Sequence, residues 1–182
     1  MRIVAGLAKG RRIGAPPGDE VRPTADRVRE ALFSSLQTRL PDARVLDLYA
    51  GSGALGLEAL SRGAAQATLV ERDRRTLAVL RANVEVVGLA GAVVVPVDVA
   101  TALAGQVPGG PFDLVFADPP YRTSAAEVDR VLESLVDHLA PGATVVVERA
   151  RRAASPTWPS ALRPVEPRVY GSTVLHRADL VA

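Results

Sequence analysis

The sequence contains no cysteine, which excludes disulfide bonds, thiolate catalysis and cysteine-bound zinc. The two histidines, His138 and His176, lie far apart along the chain, which argues against a histidine-rich metal site. No apolar run approaches the ~18 residues that a membrane span needs. Charged residues also interrupt the first ten positions too soon for a signal peptide. These absences predict a cytoplasmic protein that binds no metal and contacts no membrane.

Charge is divided unevenly along the 182 residues. Residues 1–39 carry eight basic and four acidic side chains, residues 40–147 carry eight and thirteen, and residues 148–182 carry six and three. Basic ends around an acidic middle indicate a polyanionic partner. The alternative for the N-terminal charges is a solvated, solubilising tail. The residues predicted to contact nucleic-acid phosphates are Arg2, Lys9, Arg11, Arg12 and Arg22.

Short apolar strands alternate with amphipathic helices over most of the chain. Strands are predicted at 44–49, 67–70, 92–97, 112–117 and 144–147, and helices at 55–62, 72–86, 125–138 and in a segment that ends near residue 40. Continuous β-branched runs separated by helices are typical of a parallel sheet covered on both faces. Residues 165–181 are predicted to form a hairpin that adds an antiparallel edge. The fold class is therefore α/β.

A glycine-rich turn follows the first strand of this series. Gly51–Gly56 reads G-x-G-x-x-G, and Glu71 lies 20 residues after Gly51, which matches a dinucleotide-binding fingerprint. Gly51 and Gly53 are expected to let a ligand approach the main chain, although a tight turn without a ligand is the simpler alternative. Asp47 would repel a pyrophosphate but suits a positively charged ligand, unless it only caps the turn. S-adenosylmethionine, with a sulfonium and an ammonium group, fits this pattern.

Two further acids follow predicted strands. Glu71 comes after the strand at 67–70 and is expected to accept hydrogen bonds from ribose hydroxyls. Asp98 comes after the strand at 92–97 and is expected to accept from an adenine amino group. Each acid alone is more often a helix cap or a solvated charge. Ligands of open α/β sheets, however, bind at the carboxyl ends of the strands, where these acids fall.

The most specific motif is Asp118-Pro119-Pro120-Tyr121. Both prolines fix their own φ and push the preceding residue into an extended conformation. The segment donates no backbone N–H at 119 or 120 and presents carbonyls beside the Asp118 carboxylate. Such an arrangement of acceptors suits the two hydrogens of an exocyclic amino group, and Tyr121 is placed to stack on a flat base. The alternative is a proline loop that merely ends a strand.

Three segments together resemble a known family: Asp47–Gly53, Asp118–Tyr121 and Arg22–Phe33. The first two look like those of S-adenosylmethionine-dependent amino-methyltransferases. The third resembles the signature of the RsmD family, bacterial enzymes that methylate the N2 amino group of a guanine in 16S ribosomal RNA. The resemblance implies a Rossmann-like class I methyltransferase fold, in which a seven-stranded, mostly parallel sheet has an antiparallel last strand. It also implies a basic N-terminal β-hairpin over residues 1–20 that engages RNA, and a methyltransferase domain over 21–182.

The resemblance also implies roles for individual residues. The predicted cofactor-binding residues are Asp47, Tyr49, Gly51, Ser52, Gly53, Glu71, Arg72, Asp98 and Asp118. The predicted catalytic residues are Asp118, Pro119 and Tyr121. The Asp118 carboxylate and the Pro119 carbonyl would accept the two hydrogens of guanine N2, so that the nitrogen lone pair points at the methyl group. The implied partner is 16S rRNA, free or within a small-subunit assembly intermediate, and we expect the enzyme to act as a monomer.

Other functions remain open at this point. A methyltransferase for adenine N6 in another nucleic acid, or for protein glutamine, would use the same two core motifs. An NAD-dependent oxidoreductase would explain Gly51–Gly56 and Glu71 but would give Asp47 and Asp118 no role. A non-catalytic RNA-binding module would explain only the basic ends. On the helix before residue 40, Arg27, Arg29 and Glu30 are expected to be solvated charges rather than site residues.

Overall fold

The structure, a computed structural model, describes residues 1–16 and 23–181, and only the backbone of residues 23–25. Its strands are β1 (Arg44–Leu48), β2 (Gln66–Val70), β3 (Ala92–Val95), β4 (Phe112–Ala117), β5 (Leu139–Ala150), β6 (Leu162–Tyr170) and β7 (Thr173–Leu180). Its α-helices are α1 (Pro23–Ser35), α2 (Ala54–Ser61), α3 (Arg74–Val87), α4 (Val99–Leu103) and α5 (Ala125–Leu135). Short 3-10 turns follow α1 and α5.

The seven strands form one sheet in the order β3-β2-β1-β4-β5-β7-β6. The first five strands are mutually parallel, whereas β7 runs antiparallel to both β5 and β6. The predicted α/β class and the antiparallel last strand are confirmed. The strand register aligns one row of residues near the carboxyl edge of the sheet: Leu48, Val70, Val95, Ala117 and Val147. In β1 to β4 the residues that follow this row leave the sheet along one edge, whereas β5 continues to Ala150 beside β7.

The sheet is covered on both faces because successive strand residues point to opposite sides. On one face, Val45 and its counterparts in other strands pack against the N-terminal residues and α1, α2 and α3. On the other face, Leu46 and its counterparts pack against α4 and α5. Asp47 shares the face of Val45, which directs its carboxyl group towards α2. The alternation thus places a charged side chain under a helix terminus.

Residues 1–16 turn back on themselves around one antiparallel bridge between Arg2 and Arg12. Ile3 and Ile13 are only 1% and 4% exposed and belong to the core. The buried carboxylate of Glu58, on α2, accepts the backbone N–H groups of Val4 and Ala5 at 2.7 and 3.1 Å. This N-terminal hairpin is therefore packed into the fold, and the alternative of a solvated tail is wrong for residues 1–16.

The helices differ from the sequence prediction in several places. Helix α5, predicted to residue 138, ends at Leu135, and a 3-10 turn over Val136–His138 follows it. Helix α1 ends at Ser35 rather than near residue 40, and a 3-10 turn over Gln37–Arg39 takes its place. Helix α4 was not predicted, because five residues are too few to show an amphipathic period. Among residues 1–16 and 23–181, no helix has both the length and the apolar character needed to cross a membrane. Arg22 lies outside the described residues.

Candidate active site

A groove of about 1470 Å³ runs along the carboxyl edge of β1 to β5. It forms there because the residues that follow the aligned row leave adjacent parallel strands at the same level. Ten of the predicted site residues line this groove: Asp47, Tyr49, Gly51, Ser52, Glu71, Arg72, Asp98, Asp118, Pro119 and Tyr121. The fold therefore brings together the two motifs that lie about 70 positions apart in the sequence.

Asp47 lies beneath the glycine turn, with its side chain buried in the fold. One carboxylate oxygen, Oδ2, accepts the Gly56 N–H at 2.9 Å and thereby satisfies one of the unpaired donors in the first turn of α2. Among the described residues, the other oxygen, Oδ1, has no hydrogen-bond donor, and Asp47 lines the groove. Burial raises the pKa of Asp47 to about 7, although the Gly56 N–H opposes this rise. A cation in the groove would favour the ionised form.

The turn between β1 and α2 holds its backbone in left-handed conformations. Tyr49 has φ 63°, which is uncommon for a bulky residue and concentrates strain at the groove. Gly51 has φ 57°, and a Cβ added there would meet only the Tyr49 carbonyl, at 3.9 Å. At Gly53, by contrast, an added Cβ would collide with Leu80 on α3. The structure thus leaves Gly51 open to a ligand, whereas packing explains the glycine at position 53.

Glu71 and Asp98 both hold backbone amides. Glu71 Oε2 accepts the Gly51 N–H at 3.1 Å, and its Oε1 accepts the N–H groups of Arg72 and Asp73, each at 2.8 Å. Asp98 is the N-cap of α4, and its bonds from the Thr101 N–H and hydroxyl hold its pKa below the usual value. These bonds fix both side chains at the groove, where their oxygen atoms can accept hydroxyl or amino hydrogens.

Asn83 joins three segments around the glycine turn. From α3, its Nδ2 donates to the Ser52 carbonyl at 2.8 Å and to the Gly14 carbonyl at 2.9 Å. Its Oδ1 accepts the Gly14 N–H at 2.7 Å. The side chain is buried, so the loss of these bonds would leave polar backbone groups unsatisfied. We call this arrangement the Asn83 clasp, which links the N-terminal hairpin to the cofactor turn.

Asp118-Pro-Pro-Tyr121 forms the opposite side of the groove, directly after β4. Ala117 pairs with Leu48 across the sheet, so this corner begins level with the end of β1. Pro119 is buried, whereas the Tyr121 side chain is 74% exposed. Behind the corner, Arg149 Nη2 donates to the Thr123 carbonyl at 2.9 Å and braces the loop. The corner combines a buried, rigid proline backbone with an aromatic side chain that solvent can reach.

The basic residues of the N-terminal hairpin serve different purposes. Arg2, Lys9 and Arg12 are exposed. The Arg11 guanidinium donates to the carbonyls of Val86 and Val87 and so holds the C-terminal end of α3. None of the four lines the groove. Their RNA contacts stay a prediction, and Arg11 has a structural role that charge alone did not indicate.

Two residues that line the groove, Arg29 and Glu148, are not among the site residues predicted from the sequence. Arg29 is 5% exposed and donates to the Arg2 carbonyl at 2.7 Å and to Asp26 at 2.9 Å. The expectation of a solvated charge is therefore wrong for Arg29. Arg27 and Glu30, in contrast, are exposed. Glu148 follows Val147 on β5 and lines the groove, and burial raises its pKa. The rule that singled out Glu71 and Asp98, an acid directly after a strand, would also have identified Glu148.

The groove fits a ligand that carries positive charge and hydroxyl groups. It presents the open Oδ1 of Asp47, fixed carboxylates at Glu71 and Asp98, and the unobstructed backbone of Gly51. This donor and acceptor set matches the ammonium, sulfonium, ribose and adenine groups of S-adenosylmethionine. The described part of the chain contains no group of three or more His, Cys, Asp or Glu side chains placed to share a metal ion.

Known proteins share this architecture. Residues 1–178 match the family model described as Conserved hypothetical protein 95. The chain is 42% identical over 162 residues to Ribosomal RNA small subunit methyltransferase D of Escherichia coli K12, covering 88% of this chain and 80% of that protein. It is 35% identical over 150 residues to the protein of the same name from Haemophilus influenzae, covering 81% and 78%.

Solved structures of other proteins are also similar to this chain. A structure from Escherichia coli assigned as a methyltransferase is 38% identical and has a TM-score of 0.88, covering 100% of this chain and 98% of that chain. A Thermus thermophilus structure is 33% identical with a TM-score of 0.82, covering 99% of both chains. An oxidoreductase function is not supported by these relatives, and the class I methyltransferase fold is confirmed.

Proposed function

The chain belongs to the RsmD family of methyltransferases, and from that premise we propose that it transfers a methyl group from S-adenosylmethionine to the N2 amino group of a guanine in 16S rRNA. The observation that carries the proposal is that the Asp118–Tyr121 corner and the carboxyl groups of Asp47 and Glu71 line the same groove. An amino-group acceptor site and a cation-binding site thus share one cavity.

The cofactor would be held by the ends of β1, β2 and β3. S-adenosylmethionine supplies a methyl group that is already activated by its sulfonium. Asp47 Oδ1 attracts the positive charge of the methionine part, Glu71 accepts from the ribose hydroxyls and Asp98 accepts from the adenine amino group. The backbone of Gly51, flanked by Tyr49 and Ser52, lies against the nucleoside, and Arg72 adds its exposed side chain at the rim.

The acceptor base would be held by the corner after β4. The lone pair of guanine N2 is delocalised into the ring, so the amino group is a poor nucleophile. It becomes a better one when the nitrogen is pyramidal and its lone pair points away from the ring system. The Asp118 carboxylate and the Pro119 carbonyl accept these hydrogens, and Tyr121 stacks on the base. Alignment of this kind can contribute about 7–11 kcal/mol of the barrier reduction.

A stacked base cannot reach this groove, so the target guanine must lie in a loop or be flipped out of its helix. We extend the proposal to a substrate that is either free 16S rRNA or an assembly intermediate of the small subunit, with the enzyme acting as a monomer in the cytoplasm. The exposed side chains of Arg2, Lys9 and Arg12 contact phosphates near the target.

The test is methyl transfer from radiolabelled S-adenosylmethionine to free 16S rRNA and to small-subunit particles that lack the modification. Nucleoside analysis of the product should show N2-methylguanosine in at least one substrate. Product found only as N6-methyladenosine, or label found only in protein, would contradict the proposal. The Asp118→Ala variant is the control for catalysis by a contaminating enzyme.

A further inference from the structure

The border of the groove on the side away from the cofactor is rich in arginine. Strand β5 lies next to β4, and its C-terminal end leads into a turn at residues 151–153. Arg151 and Arg152 occupy this turn, between the groove residues Ala150 and Ala153. Arg122 and Arg130 line the same side of the groove from the loop after Tyr121 and from α5. We call Arg122, Arg130, Arg151 and Arg152 the arginine wall.

The side chains of the arginine wall are available to a partner. All four residues are exposed. Among the ion pairs that the structure describes, none includes any of these four guanidinium groups. The buried Arg149, in contrast, is committed to the Thr123 carbonyl. Arg130 contributes to the lowered pKa of Glu127, three positions before it on α5, whereas Arg122, Arg151 and Arg152 form none of the described ion pairs. Exposed guanidinium groups of this kind are suited to bidentate contacts with phosphate.

The turn itself is held in place, so its charges are presented from a fixed backbone. The Arg151 N–H donates to the Ser172 carbonyl at 2.8 Å, which fastens the turn to the loop between β6 and β7. The Ala153 N–H donates to the Ala150 carbonyl at 2.9 Å. A strand that entered the acceptor half of the groove would therefore meet positive charge at a defined place beside Asp118.

The acidic side chains near the wall are occupied or buried. Glu127 accepts the Ser124 N–H and hydroxyl in a capping box at the start of α5, and these bonds hold its pKa below the usual value. Glu148 is half-buried, and burial raises its pKa. The exposed charged side chains on this border are therefore four arginines against the carboxyl groups of Glu127 and Asp118, although the middle of the sequence is acidic overall.

We propose that the arginine wall binds the phosphates of the RNA strand on either side of the target base. This inference rests on the proposed function, because it assumes that the substrate is RNA. It adds a second phosphate-binding surface, on the acceptor side of the groove. This surface would hold the strand while the unstacked base enters the groove beside it.

The test compares two double variants that each remove two positive charges. Arg151→Gln/Arg152→Gln changes the wall, and Arg44→Gln/Arg163→Gln changes exposed arginines near the opposite edge of the sheet. Affinity for free 16S rRNA is measured over a salt series. The wall variant should bind about ten-fold more weakly, and the slope of log affinity against log salt should fall by about two, one for each lost phosphate contact. The opposite-edge variant should stay close to the wild type.

Further measurements separate a phosphate contact from a structural role. The wall variant should show a raised KM for RNA with unchanged kcat and an unchanged affinity for S-adenosylhomocysteine. Arg151→Lys/Arg152→Lys should restore most of the binding, because an ammonium group still contacts a phosphate as a point charge. Equal losses in the wall and opposite-edge variants, or no loss in either, would overturn the inference.

The same experiment distinguishes this inference from the proposed function. If the wild type methylates 16S rRNA while the wall variant binds as tightly as the wild type, the proposed function stands and the wall is refuted. If the wall variant loses salt-dependent RNA binding but the wild type transfers no methyl group to 16S rRNA, the wall stands and the proposed function fails. A wild type that binds no RNA refutes the wall.

Discussion

The two halves of the groove are built on different principles. At the ends of β1, β2 and β3, the carboxylates of Asp47, Glu71 and Asp98 are fixed by bonds from backbone N–H groups. At the ends of β4 and β5, the functional side chains extend into solvent, as the exposure of Tyr121 and Arg151 shows. A small cofactor of constant shape suits the first half, whereas a large, adaptable substrate suits the second.

This difference between the two halves of the groove predicts which substitutions should affect cofactor binding and which should affect turnover or RNA binding. Changes in the cofactor half alter a hydrogen-bonded turn and should affect cofactor affinity and stability together. Changes in the acceptor half remove exposed groups and should affect turnover or RNA binding while the fold is preserved. The five predictions below test this division.

Asp118→Ala should have the largest effect. Loss of the carboxylate removes an acceptor from the reacting amino group, and we expect kcat to fall about a hundred-fold to a thousand-fold. The affinity for S-adenosylmethionine, measured by calorimetry, should stay unchanged. Asp118→Asn keeps an acceptor oxygen without the charge, so activity near that of the wild type would show that Asp118 positions the amino group rather than taking its proton. Asp137→Ala, at an exposed position, is the matched control.

Asp47→Asn should weaken S-adenosylmethionine binding about ten-fold to a hundred-fold, because the neutral amide cannot attract a cation. The pKa of Asp47 is raised to about 7, so the wild-type carboxyl group becomes protonated as the pH falls below that value. Affinity should therefore decrease from about pH 7.5 to pH 5.5 in the wild type and stay flat in the variant. Glu85→Gln on the exposed side of α3 should retain the wild-type profile.

The same raised pKa has a consequence for stability. The folded state holds the Asp47 proton more tightly than the unfolded state does, so ionisation destabilises the fold. The contribution of Asp47 to stability should decline as the pH rises from about 4 to about 7, and a cation bound at Oδ1 should reduce this decline. Thermal unfolding of the wild type and of Asp47→Asn, with and without S-adenosylmethionine, measures the difference. Parallel curves for the two proteins would contradict this assignment.

Tyr121→Ala should raise KM for RNA about ten-fold, since base–aromatic stacking contributes ~1–3 kcal/mol. Tyr121→Phe retains the ring and should behave like the wild type. Cofactor affinity and thermal stability should be unchanged in both variants, because the side chain is largely exposed. A loss in the Phe variant equal to that in the Ala variant would assign the effect to the hydroxyl group instead of the ring.

The smallest effects are expected on the N-terminal hairpin. Lys9→Gln/Arg12→Gln should weaken RNA binding a few-fold and reduce its salt dependence without a change in stability. Arg11→Gln should instead lower the free energy of unfolding by about 1 kcal/mol, because its guanidinium group holds the end of α3. Denaturant unfolding and RNA titration in parallel separate the two. Deletion of the hairpin would be uninformative, because it would remove Ile3 and Ile13 from the core.

The sheet could be predicted from the sequence because its strands are short apolar runs between turns. The prediction for β4 matches the observed Phe112–Ala117, and β1 differs by one residue at its end. Helix α4 could not be found this way, since its main local signal is the Asp98 cap with Thr101 three positions later. The residue predicted to contact adenine is thus also the residue that starts this helix.

The motifs predicted the cofactor and acceptor corners, but burial could not be predicted for charged residues. Arg29 lies on a helix that reads as amphipathic, and only the three-dimensional packing of the N-terminal hairpin shows that the Arg2 carbonyl covers it. Arg11, predicted from its charge to contact phosphate, likewise holds the end of α3 through bonds that the local sequence does not indicate. Local sequence gives the charge of a side chain, whereas its partners depend on contacts with residues far away in the chain.

The Asn83 clasp makes one amide proton a remote reporter of the cofactor turn. The Gly14 N–H donates to Asn83 Oδ1, while Nδ2 of the same side chain binds the Ser52 carbonyl. A fluctuation that releases Ser52 removes one of the three bonds that hold the carboxamide and should make the Gly14 N–H easier to expose to solvent. Hydrogen–deuterium exchange at Gly14 should therefore slow when the turn is stabilised by ligand, and it can be followed without a label in the groove.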